Sequence, residues 1–219
     1  MMPPKDRAKT RRKWRRWIVP ITGAVQMLAA DDLIFSKSME RITATNYMGP
    51  ENQIYRWMLR AYANHLAMGI RRVLDTDTRT YSLLLLVRQI DSNAEIITAR
   101  SFMAAPSRRG LRREGEATWE MLAGVDTDHL PAGFAAEDLR TLEGARKRLG
   151  PLLDKVFAHS ERIRGRLPKR AWEEFHTLVR TIGNVCVRCN LVLTSVSPST
   201  MQPVIEGLDG DLDDAFGRL

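Results

Sequence analysis

Leu152-Leu-Asp-Lys-Val-Phe-Ala-His-Ser-Glu-Arg-Ile-Arg-Gly-Arg166, with Leu149 before it, sets Leu149, Leu152, Leu153, Val156 and Ile163 at intervals of a helical turn. That period is the mark of a helix with one face turned to a core. His159 stands three residues after Val156 and four before Ile163, on or beside the apolar stripe. Lys155, four residues back, and Arg162, three on, lie one turn away on the same side. An imidazole between two cations suits the binding and handling of a phosphate. The same residue is also read as a core histidine hydrogen-bonded to a neighbour, the commoner fate of a His on an apolar face. Gly165 and Pro168 then end the helix.

Working outward, the periodicity predicts helices over about 20–45, 50–74, 81–91, 135–164 and 168–196. Pro20 and Pro50 are placed as first helical residues. The first helix carries Ala24, Met27, Leu28, Phe35, Met39 and Ile42. The second is expected to bury Ile54, Trp57, Met58, Ala61, Tyr62, Leu66, Gly69 and Val73, with His65 beside that face. Gly69 would let another helix approach closely. Thr78 or Thr80 caps the third, whose four consecutive leucines, Leu83 to Leu86, belong at the centre of a core. The last helix repeats apolar residues from Trp172 to Leu193 and holds Cys186 and Cys189 one turn apart. No further Cys or His pair completes a zinc set, so these read as buried thiols, and no metal or other cofactor is expected. Alternating β-branched runs are nearly absent. The fold class expected is all-α, an up-and-down helical bundle.

Lys155-Val-Phe-Ala-His-Ser-Glu161 resembles the K-x-x-A-H-x-D/E signature of HEPN-type helical proteins of the abortive-infection class. Ile70 to Leu86 resembles the same group, in which one helix ends in an acidic turn and the next begins with Ser-Leu, here Ser82-Leu83. The resemblance spans roughly residues 20–195. It implies a HEPN-like bundle, a homodimer with two sites facing one cleft, and a metal-independent ribonuclease of a defence or toxin–antitoxin system. In that reading His159 is the general base or acid, and Lys155 and Arg162 hold the phosphate. Family members carry an Arg separated from the His by four to six intervening residues. Here those positions are Leu152, Leu153 and Asp154. Arg60 before His65 and Arg170 before His176 have the family spacing, but with 27 Arg in the chain about as many such pairs arise by chance. His129, in Asp126-Thr-Asp-His-Leu-Pro131, reads as a loop residue.

The charge is unevenly placed. Lys5, Arg7, Lys9, Arg11, Arg12, Lys13, Arg15 and Arg16 against Asp6 give the first 16 residues +7 of the chain's +8. Residues 1–16 are therefore read as a flexible or partly helical basic arm on a near-neutral bundle, residues 17–196. Arg11, Arg12, Lys13, Arg15 and Arg16, with Trp14 and Trp17 between them, suit RNA: cations for phosphates, rings for bases. A second basic cluster, Arg108, Arg109, Arg112 and Arg113, falls in a loop insertion expected over 104–133, interrupted by a short helix around Ala117–Leu122. Residues 197–219 read as a solvated acidic tail able to contact a basic arm. These features carry the alternative to catalysis, a helical module that binds RNA or a protein partner such as an antitoxin. No apolar run is read as spanning a bilayer, no signal peptide is recognised, and two Cys suggest a cytoplasmic setting.

Overall fold

The structure, a computed structural model, describes residues 3–45, 52–108, 110–162, 169–195 and 208–216. Its regular elements are α1 Pro4–Thr45, α2 Gln53–Val73, α3 Leu83–Asp91, a 3-10 turn Ala94–Ile96, α4 Ala99–Arg108, α5 Arg112–Ala123, α6 Ala136–Arg162, α7 Lys169–Thr194 and α8 Leu208–Phe216. Among the described residues the only β-type pairing is one bridge between Thr98 and His129. The chain is all-α, as the periodicity indicates. It divides into two compact units. The first holds Met1–Gly23, Val73–Glu143 and Asn184–Thr200, the second Ala24–Arg72, Gly144–Gly183 and Met201–Leu219.

In the first unit the expected arm is instead the opening part of α1. Trp14 is 0% exposed, and Trp17, Ile18 and Ile21 follow it into the core at helical spacing. The basic residues occupy the remaining faces, so charge and burial share one helix. Pro20 does not start this helix. It lies within it on the exposed side, where its missing N–H costs a hydrogen bond without interrupting the buried stripe. The four leucines of α3 are buried as expected. The cap is Ser82 rather than Thr78 or Thr80: its Oγ accepts from Leu85 N at 3.2 Å and donates to the Asp75 carbonyl at 2.6 Å. Thr80 Oγ1 is engaged instead by Asp75 and the Asp77 carbonyl.

The expected loop insertion over 104–133 is largely helical, formed by the end of α4 and by α5. Gly110, at φ +73°, turns the chain between them, and Trp119 packs on Phe102 with ring centroids 5.4 Å apart. Breaker residues mark the turn, not the helices on either side of it. Pro106 lies inside α4 and cannot donate to the carbonyl of Phe102 four residues earlier. That carbonyl accepts from Ser195 Oγ at 2.6 Å. Ser195, at φ 56°, is the residue that ends α7, and its N–H bonds the Leu191 carbonyl at 2.8 Å. Where α6 begins, Arg188 of α7 grips the buried Asp138 at two points, one of them Nε to Oδ2 at 3.1 Å.

In the second unit, Phe35 stacks on Tyr62 with ring centroids 3.6 Å apart, and Trp172 lies 4.9 Å and 5.5 Å from them. A Cβ at Gly69 would collide with the Leu28 side chain, so this glycine does permit a close approach. The buried face of α2 is rotated from the one expected. Leu59, Tyr62, Ala63, Leu66, Ala67 and Ile70 are inside, whereas Ile54 and Trp57 are 59% and 63% exposed. Asn52 caps the helix, its Oδ1 accepting from Ile54 N at 2.8 Å. The acidic tail is not all solvated chain: Leu208–Phe216 forms α8, Leu212 is buried, and Asp213 pairs with Arg41 rather than with the basic N-terminal residues.

α1 also bears on the bilayer reading, by a test that the core helix of a soluble protein passes as well. Lys5–Thr45 contains an 18-residue window of mean hydropathy 1.5, of which 28% is buried, enough in length and composition to cross a membrane. Pro20 and Gly23 break the run to the eye but lower the average little.

Two outcomes follow from this packing. Trp14→Ala should lower stability by about 3–5 kcal/mol in urea titration, while Met27→Ala, at a position 66% exposed, should change it by about 0.5 kcal/mol or less. Cys186 and Cys189 are free and buried, and burial pushes the Cys186 thiol up to about 11 and Cys189 well above its ordinary value. A thiol-specific reagent at neutral pH should leave both unlabelled in the native protein and label both in denaturant.

Candidate functional site

α1 places Asp6, Lys9, Thr10, Arg12, Lys13, Arg16 and Trp17 along one side, at steps of three and four residues, and Tyr81 joins them from the segment before α3. Together they line an open cleft of about 730 Å³ in the first unit. Lys9, Arg12, Lys13 and Arg16 are exposed. Lys9 and Lys13, and Arg12 and Arg16, are each one turn apart, so the cations form a row along the helix axis with a rise of about 6 Å per pair. Asp6 bounds the row at its N-terminal end. Trp17 is 8% exposed; its ring and that of Tyr81 lie edge to face, centroids 5.6 Å apart, and it carries the Lys13 ammonium 4.4 Å from its centroid. Tyr81 is 60% exposed.

The basic residues that the sequence groups together are sorted by this geometry. Arg12, Lys13 and Arg16 line the cleft. Arg11 donates from Nη1 to the Ile96 carbonyl at 2.8 Å, and burial, then the charges of Arg15 and Arg7, push its guanidinium below its ordinary value. Arg15 donates from Nε to the Leu193 carbonyl at 2.7 Å and from Nη2 to the Ser101 carbonyl at 3.1 Å. These carbonyls include groups at helix ends that lack a partner within their own helix, which a nearby cation satisfies. Arg11 and Arg15 thus fasten α1 to the unit. Trp14 is no stacking platform: it is buried, and its Nε1 donates to Gln89 Oε1 at 2.9 Å.

Of the second basic cluster, Arg112 and Arg113 open α5 on its exposed side, and Arg112 bonds Glu116 at 2.8 Å, which raises its pKa. Arg109 and the side chain of Arg108 lie outside the described residues. So do the side chains of Lys155, His159 and Arg162, whose backbone forms the last turns of α6.

The second unit gathers a cluster that the sequence reading passed over. Asp32 of α1 accepts from Tyr62 Oη at 2.7 Å and faces His176 Nδ1 at 2.6 Å. Its neighbour Asp31 faces His65 Nε2 at 2.6 Å. Burial first, and then Asp32, push the Tyr62 phenol far above its ordinary range, so it stays a donor. His65 is not a core residue, since its side chain is 60% exposed. The signal for this cluster is the pair Asp31-Asp32 itself, set between Leu28 and Phe35 on an otherwise apolar stretch, which requires partners. Its pairings satisfy the carboxylates and tie the second half of α1 to α2 and α7. Among the described residues no group of three or more His, Cys, Asp or Glu is placed to hold a metal ion. Tyr81 was missed for a different reason: nothing local in Thr80-Tyr81-Ser82 ties that ring to α1. In comparisons with known proteins, no family model matches the chain, and no curated protein and no solved structure does so.

Proposed function

We propose that this protein binds RNA through the cleft along the first half of α1, as a helical protein of HEPN-like kind. The observation that carries the reading is the row of exposed cations, Lys9, Arg12, Lys13 and Arg16, beside an exposed aromatic ring. Such a row attracts a phosphate backbone without base specificity, and the ring adds a surface for a base. A basic helix face with nothing beside it is usually just solvated. The cleft and Tyr81 add a shape to it.

Binding of labelled RNA to the full chain should weaken as salt rises, with a log–log slope of about −3 for four phosphate contacts at about 0.7 each. Arg12→Ala with Arg16→Ala should weaken binding and reduce the slope by about 1.4, whereas Arg112→Ala with Arg113→Ala should leave it unchanged. Fluorescence anisotropy across a salt series measures both. An unaltered slope in the Arg12/Arg16 variant would remove the cleft from the reading.

The second reading is a metal-independent ribonuclease. What supports it, besides the two blocks that resemble HEPN proteins, is that α6 runs unbroken through Lys155, His159 and Arg162 and keeps them at helical spacing along one helix. There His159 would take the proton of a ribose 2′-hydroxyl as it attacks the adjacent phosphorus, the P–O5′ bond would break to leave a 2′,3′-cyclic phosphate, and the departing 5′-oxygen would take up a proton. Lys155 and Arg162 would steady the phosphate, and a homodimer would face two such helices, with an antitoxin or other defence partner restraining it. With Asp154 where the family has Arg, Lys155 must supply the cation. Incubation with RNA in chelator should give cyclic-phosphate ends, lost by about a hundredfold or more in His159→Ala at matched circular dichroism. Absence of cleavage by the unaltered protein would leave the binding reading alone.

A further inference from the structure

We infer that the RNA held by this cleft is single-stranded, with one unpaired base laid against the ring of Tyr81. The inference rests on the RNA-binding reading above and deepens it. Two rings lie in the cleft, and they are not equivalent. Trp17 is 8% exposed, with Lys13 over its ring and Tyr81 in edge-to-face contact with it, so its surface is already used. Tyr81 is 60% exposed and opens onto the same space as Lys9, Arg12 and Arg16. An exposed aromatic beside a row of cations is the arrangement that takes a splayed base and its backbone together. In an A-form duplex the bases are stacked on one another and offer no face, so a duplex would use the cations and leave Tyr81 idle.

The order of residues gives the ligand a direction along α1. Tyr81 contacts Trp17, so the base lies at the Trp17 end. From there the backbone runs past Arg16, Lys13, Arg12 and Lys9 and stops short of Asp6, whose carboxylate repels phosphate. Lys13 serves twice, covering the Trp17 ring and facing the strand. The ring at 81 therefore selects for unpaired RNA, while the cations supply affinity for any phosphate chain.

The test uses the full chain, a short oligoadenylate containing one 2-aminopurine, and the same sequence as a duplex. Stacking on Tyr81 should quench the 2-aminopurine, and the single strand should bind more tightly than the duplex. Tyr81→Ala should weaken single-strand binding about tenfold or more and abolish the quench, with duplex binding and the salt slope unchanged. Tyr81→Phe should behave as the unaltered protein. Tyr81→Leu, which still covers Trp17 but lacks a planar ring, should behave as Tyr81→Ala. If single strand and duplex bind alike and Tyr81→Ala is neutral, the RNA reading stands and the single-strand assignment falls. If neither RNA binds, both fall.

Discussion

The burial of Trp14 is the constraint on which the first unit depends. A tryptophan with cations on either side of it in sequence can enter a core only if the helix turns those cations elsewhere, and α1 does so by seating the indole against Gln89. Arg11, half-buried one turn before, and Arg15, exposed one residue after, turn back onto the unit and bond carbonyls of Ile96, Leu193 and Ser101. Each such bond to a charged donor contributes about 1.5–3 kcal/mol where it is shielded, less where water competes. With that side of α1 fixed, Lys9, Arg12, Lys13 and Arg16 are left on another, at a set distance from Tyr81. The cleft is thus a by-product of how the helix is anchored.

Net charge is consequently a poor guide to which basic residues are free to bind. The first 16 residues carry nearly all of the chain's excess charge, yet that charge falls into two separate sets, one bonded to carbonyls of the unit and structural, the other lining the cleft. Arg serves the structural one because its planar fork reaches several carbonyls at once, and it loses little hydration in doing so. The Asp31 and Asp32 pairings are the same device with opposite sign: carboxylates placed on a mostly apolar stretch of α1, each met by an imidazole from another helix of its unit. In both halves of α1, the polar residues nearest the core specify which neighbours it takes.

The helices and the core were largely legible in the sequence, and the site was not. The runs Leu83–Leu86 and Trp172–Leu193 show their burial through period and composition alone, because apolar area dominates the energy there. Boundaries failed where a single residue has two meanings. Pro20 marks a helix start or an exposed position within one, and Pro106 marks a loop or a helix whose lost hydrogen bond is replaced from outside. The face of α2 was misjudged because Ile54 and Trp57 are apolar yet exposed, and period does not distinguish an apolar face that is covered from one that is not. In the cleft, Arg12, Lys13 and Arg16 were legible as cations. Their separation from Arg11 and Arg15 was not, since it depends on carbonyls far away in the chain, and neither was Tyr81.

Those distant carbonyls bear on how the protein is made. Arg15 and Leu193 are 178 residues apart in sequence, and Ser195 and Phe102 93. Contacts of such separation slow folding, because the loop between them must close before they contribute anything. At ribosomal rates of about 5–20 residues per second, 178 residues take about 10–35 s to synthesise. Through that interval the opening of α1 exists without the end of α7, and Trp14, Trp17 and Ile18 have only part of the surface against which they finally pack. A tryptophan-bearing segment left waiting in this way keeps apolar surface open to water until the end of α7 has been made.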